Sequence, residues 1–240
     1  MAILVVGQSH VGAVQRAAKT HRETWPDELR TRVIHTLGEP FASDGEEFGP
    51  LARAAILDQI ARHRPRLVSM LGGNAHNMIS LMRPARPYDF ILHGEEDEGP
   101  PLDPDAELIP ESLVRAALEE RLQKDFWRLR RLHEIAGPFL HVESPPPVIG
   151  DAFIRDRVEV YFRDYHDREI VPAAPGVRWR VWRLNARIIR EQVEALGCGY
   201  LPVPHTVQDE AGFLRLDFAA DPTHGNEAYG EALIRAIEDA

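Results

Sequence analysis

The chain has 240 residues, 44% of them hydrophobic, and carries 38 Asp and Glu against 28 Lys and Arg, a formal net charge of -10. That balance excludes broad contact with a nucleic-acid backbone or an anionic membrane surface, both of which need basic side chains in excess. The single cysteine, Cys198, rules out an internal disulfide, and no apolar run approaches the roughly 20 residues that cross a bilayer. The first residues, Met-Ala-Ile-Leu-Val-Val-Gly, lack a basic leader region and read as a strand, so a cytoplasmic protein is expected.

Short apolar or β-branched runs alternate with helical patterns along the chain. Residues 2–6 form the first strand, followed by Gly7-Gln8-Ser9-His10 and an Ala-rich helix over 11–19. Residues 32–37 give a second strand ended by Gly38, and 51–63 an approximate helical stripe stopped by Pro65. Residues 67–71 give a third strand before Gly72-Gly73-Asn74, and 90–93 a possible short one. The stretch 94–110 is acidic and Pro-rich; it cannot form a core and is expected as an exposed loop rather than a lid. A helix follows over 111–136, with Leu118, Leu122, Phe126, Leu129 and Leu132 three or four residues apart. Residues 139–142 make a fourth strand running into Ser144 and three prolines, a stiff loop suited to a pocket wall. A helix over 178–196, a short strand at 200–203 and a last helix over 226–238 complete the chain.

Strands and helices alternating at these lengths imply one α/β domain spanning 1–240, with the acidic loop as an insertion and about five mostly parallel strands. Ligands in such folds bind at the carboxyl ends of the strands. Ser9, Gly38, Asn74, Ser144 and His205 all fall just after predicted strands. Ser9 stands in a turn ahead of a helix, where backbone N–H groups favour developing negative charge. A serine hydroxyl needs a base to act as a nucleophile, and His224, with Asp221 three residues before it, supplies one together with its orienting carboxylate. Asn74 can donate its amide N–H to an oxyanion.

Gly7-Gln8-Ser9, Gly72-Gly73-Asn74 and Asp221-Pro222-Thr223-His224, in that order, resemble the SGNH (GDSL-type) hydrolases over nearly the whole chain. The resemblance implies a three-layer α/β/α, flavodoxin-like fold and a serine esterase. Ser9, Asp221 and His224 would form its triad, with Ser9, Gly38 and Asn74 as the oxyanion hole. Gly38 is the candidate for the family's second-block glycine, and Gly45 stands close by. Two positions depart from the pattern: Gln8 replaces the usual acid of the first block, and Ala75 follows Asn74 where an acid is common. The expected substrate is a short acyl ester, such as an O-acetyl group, on a glycan or small metabolite. An O-acyltransferase using Ser9 and His224, and a non-catalytic binding protein on the same fold, are the alternatives.

No cofactor is implied, since neither a Gly-x-Gly-x-x-Gly loop nor a P-loop lysine follows the first strand. Of the eleven histidines, His10, His76, His93, His141, His205 and His224 can reach the strand-end face. No His-x-x-x-His pair shares a helix with a glutamate, so no metal is expected. The run Arg178-Trp179-Arg180-Val181-Trp182-Arg183 has the composition of a base-stacking surface. On a helix it divides between a buried stripe and a solvated face, and the structural role is expected. Cys198 is expected as a structural thiol. The loops at 94–110 and 144–179 are expected to set specificity.

Overall fold

The computed structural model describes residues 2–20, 31–41, 48–158 and 170–240. Five parallel strands form the central sheet: β1 (Ile3–Gly7), β2 (Thr31–His35), β3 (Arg66–Met70), β6 (Leu140–Val142) and β7 (Gly199–Leu201), in the order β2-β1-β3-β6-β7. Two further two-residue strands, β4 (Tyr88–Asp89) and β5 (Glu107–Leu108), pair with each other instead. Residues 90–93, expected as a strand, form none. Phe90 and Leu92 are buried by packing rather than by pairing.

Helices cover both faces of the sheet, which explains why β1 reads as an unbroken apolar run and is buried throughout. On one face lie α1 (Val11–Thr20) and α7 (Glu227–Asp239); α2 (Pro50–His63), α4 (Glu111–Ala136) and α6 (Pro175–Ala195) pack on one another across the other. The short helices α3 (Ala75–Ser80) and α5 (Asp151–Arg157) follow β3 and β6. In α4 the buried residues Val114, Leu118, Leu122, Phe126, Leu129 and Leu132 recur at helical spacing, and Gly137, with φ of 78°, ends the helix. No described helix is long and apolar enough to cross a membrane.

Two features of this arrangement position the site. The chain runs from β1 outward to β2 and then back to β3 on the opposite flank of β1, so the carboxyl ends of β1 and β3 border the crevice where strand order reverses. Helices α1 and α7 also pack unusually closely: a Cβ added at Gly230 would collide with the backbone of Ala13. Since α1 begins two residues after Ser9 and α7 three after His224, this contact draws the loops at both helix N-termini together. Asn226 caps α7 by accepting from the Tyr229 N–H at 3.2 Å.

Candidate active site

At the end of β1 there is no room for a side chain: a Cβ at Gly7 would stand 2.5 Å from the Met70 carbonyl oxygen and 2.7 Å from Val11. The chain then turns through Gln8, Ser9 and His10, whose carbonyls accept from Val11, Gly12 and Ala13. Ser9 therefore occupies the entry to α1, where the first N–H groups of a helix have no carbonyl partner within it.

Gln8 holds this turn in place with both ends of its carboxamide. Its Oε1 accepts from the Gly72 N–H at 3.1 Å, and its Nε2 donates to Asp125 Oδ1 at 3.3 Å. Asp125, on α4, is paired in turn with Arg128 at 2.8 Å. Burial raises its carboxyl pKa, against the pull of Arg128 and Gln8. The amide at position 8 fits for this reason: an acid there would face a second carboxylate and have no proton to donate.

Gly72, with φ of 78°, and Gly73 carry β3 into Asn74, which precedes α3. Asn77 Nδ2 donates to Asn74 Oδ1 at 2.8 Å, which fixes which end of the carboxamide is the acceptor and leaves Nδ2 as the donor. Asn77 thus supplies the support that Ala75, itself buried, has no polar atom to give.

Asp221 gathers the last segment about itself. Its Oδ1 accepts from the N–H of Thr223 at 2.8 Å, from that of His224 at 2.9 Å and from the Thr223 hydroxyl at 3.0 Å. His224 Nδ1 lies 3.1 and 3.0 Å from the two carboxylate oxygens and 2.8 Å from Thr223 Oγ1. A carboxylate cannot donate, so this network assigns the proton to Nδ1 and leaves the lone pair on Nε2. Burial pushes the Asp221 pKa up, but His224 and the Thr223 donors outweigh it and hold the carboxyl below its ordinary value.

The three segments meet around His10. Its ring centroid is 5.0 Å from that of His224, the planes tilted by 44°. A Cβ added at Gly73 would collide with its imidazole. Burial, reinforced by the nearby rings of His224 and His76, drives the His10 pKa down to about 3 against the opposing Asp221 and Gly73 backbone. His76, on α3, is buried too, and burial takes it to about 3.

Other candidates fall elsewhere. The Gly38 N–H donates to the His35 carbonyl at 3.0 Å within a turn, so it already has an acceptor, and Gly45 lies outside the described residues. His141 is buried in the sheet, with Nδ1 3.2 Å from Ser69 Oγ, and His93 is paired with Glu96 in the acidic loop. His205 helps to line a cavity of about 960 Å³ between the acidic loop and the start of α6, with Glu98, Leu102, Trp179 and Phe213; none of Ser9, Asn74, Asp221 and His224 borders it. Of the loop after β6, Pro145, Pro146 and Pro147 are buried and only Ile149 reaches this cavity. Residues 159–169, within the second loop expected to set specificity, lie outside the described residues.

The basic run on α6 is structural. Arg180 forms a two-pronged ion pair with Asp89 and donates to the Pro100 carbonyl at 2.7 Å. Arg178, 1% exposed, holds Asp151 at 3.0 Å and the carbonyls of Ile149 and Ala173 at 2.8 Å. Cys198 is a buried free thiol.

Neither a protein-family model nor a curated protein matches the sequence. Among solved structures, the chain is similar to a GDSL-like lipase from Bacteroides thetaiotaomicron, with 11% identity over 99% of this chain and 86% of that one and a TM-score of 0.44. It is also similar to an acetyl xylan esterase from Geobacillus stearothermophilus, with 14% identity over 99% of this chain and 93% of that one and a TM-score of 0.40.

Proposed function

We propose that the chain is a serine-dependent hydrolase of carboxylic esters, acting on a short acyl ester such as an O-acetyl group of a glycan or small metabolite. The observation that carries this reading is the Asp221–His224 pair, its imidazole 5.0 Å from the ring that directly follows Ser9 in the chain. In the proposed reaction His224 Nε2 takes the proton of Ser9 Oγ as Oγ bonds to the ester carbon. The carbonyl π pair moves to oxygen, and the Ser9 N–H and Asn74 Nδ2 stabilise the oxyanion. Asp221 stays ionised and steadies the imidazolium. Collapse of the tetrahedral intermediate breaks the bond to the alcohol, which leaves with the proton from His224. Water, deprotonated by His224, then attacks the acyl-enzyme, releases the acid and returns Ser9. Because the Gly38 N–H already has an acceptor, it is left out of the oxyanion hole.

The test is Ser9→Ala. That variant should lose hydrolysis of p-nitrophenyl acetate and labelling by a fluorophosphonate probe, while remaining folded by circular dichroism. Turnover that survives the substitution overturns the mechanism. Transfer of the acyl group to an added sugar hydroxyl in preference to water would reassign the chain as an acyltransferase with the same site.

A further inference from the structure

The residue after the proposed nucleophile is a buried histidine that the proposed reaction does not use. His10 is 4% exposed and touches all three segments of the site: it follows Ser9, lies flush against Gly73 beside Asn74, and faces the His224 ring at 5.0 Å. Gly73 has no Cβ where one would strike this imidazole, so the Gly-Gly-Asn loop is shaped around His10. A flat ring so placed restricts the tilt of His224 about the Nδ1 edge that Asp221 and Thr223 hold.

We propose that His10 is a positioning residue, a flat plate that sets the angle of the His224 ring and thereby aims Nε2 at Ser9. This rests on the assignment of His224 as base. Burial keeps the plate uncharged, so the imidazolium that forms on His224 during turnover meets no second positive charge beside it.

The test compares His10→Ala, which removes the plate, His10→Phe, which keeps a flat ring, and Gly73→Ala, which crowds the imidazole. Two readouts are used: kcat and KM for p-nitrophenyl acetate, and the low-field proton resonance of the His224 Nδ1–H, which reports the bond to Asp221 without reference to activity. His10→Ala should lower kcat at least about tenfold with KM within about twofold, and should broaden or abolish the low-field proton. His10→Phe should keep that resonance and hold kcat within about threefold. Gly73→Ala should lower kcat in the parent but cost less than about twofold once His10 is alanine, since the space it needs is then vacant. An undiminished kcat with an intact low-field proton in His10→Ala overturns the proposal, as does a loss confined to KM. Should His10→Ala fail to fold, Gly73→Ala decides by the same two readouts. A wild-type protein without ester turnover would sink the hydrolase assignment, and the proton resonance alone would then decide the placement of the ring.

Discussion

Glutamine at position 8 and aspartate at position 125 form a matched pair: one supplies the donor that the other lacks. Gln8→Glu removes that donor and sets two carboxylates together, so it should cost about 1–3 kcal/mol of stability, measured by urea denaturation. Asn74→Ala should lower kcat about a hundred- to a thousandfold with little change in KM, as expected for a donor that bonds only the oxyanion. Asp221→Asn should be worse, about a thousand- to ten-thousandfold in kcat, because the amide can present its N–H2 to Nδ1 and turn the imidazole to the wrong tautomer. The positions of Ser9, Asn74, Asp221 and His224 were legible because each follows or precedes an element whose end is marked by glycine or proline. Asp125 and Asn77 were not legible as part of the candidate site, and His10 only as one of several histidines able to reach the strand-end face. Asp125 reads as one more exposed acid on an amphipathic helix, and its meeting with Gln8 across the chain exists only after α4 packs. Asn77 and His10 sit among ordinary helix and turn residues, where no spacing rule marks a residue that supports another.

Among the elements, the acidic stretch after β4 is exposed as its composition implies, yet it is tethered. Arg180 joins Asp89 to the carbonyls of Pro100 and Pro101, Asp89 also accepts from the Asp103 N–H at 2.8 Å, and Glu95 is held by Arg183 at 2.6 Å and Arg187 at 3.0 Å. Arg180→Met leaves Asp89 as a buried carboxylate without its counter-charge. The expected cost is about 3–5 kcal/mol, together with faster amide hydrogen exchange across residues 94–106; slow exchange there would mean that the tethers from Glu95 suffice. Arg180, Arg183 and Arg187 are thus each paired within the molecule. Long helices such as α4 were legible because several turns of spacing accumulate. The six-residue α3 and seven-residue α5 were not, since fewer than two turns give no period to detect. Gly38 shows a related limit: a glycine after a strand is easy to find, but whether its N–H points into a turn or toward a ligand depends on the loop's own hydrogen bonds.

At the scale of the molecule, three buried imidazoles among the described residues weaken the fold in acid. His10, His76 and His141 are each pushed down by burial to about 3 in the fold, against about 6.5 in an unfolded chain. As pH falls through 6.5 the unfolded state binds protons that the native state refuses, so stability falls with pH between about 6.5 and 3. The slope approaches about 4 kcal/mol per pH unit once all three titrate in the unfolded chain. Glu143 and Asp125, whose carboxyls burial raises, take up protons in the fold before they do in the unfolded chain and so oppose this trend. Denaturant unfolding at pH 7.5, 6 and 5 should therefore give a steep loss, and equal stabilities at the three values would contradict the neutral burial of these rings. The order of the strands followed from the alternation of runs only as far as a parallel sheet; the reversal between β1 and β3 and the close seating of α7 on α1 come from packing. That seating has a bearing on synthesis. The Ser9 hydroxyl follows β1 and the His224 imidazole precedes α7, more than 200 residues later, so a nascent polypeptide carries the proposed nucleophile long before the proposed base. In the proposed reaction, competence waits on the docking of α7 against α1, and the onset of ester turnover would therefore report that this contact has formed.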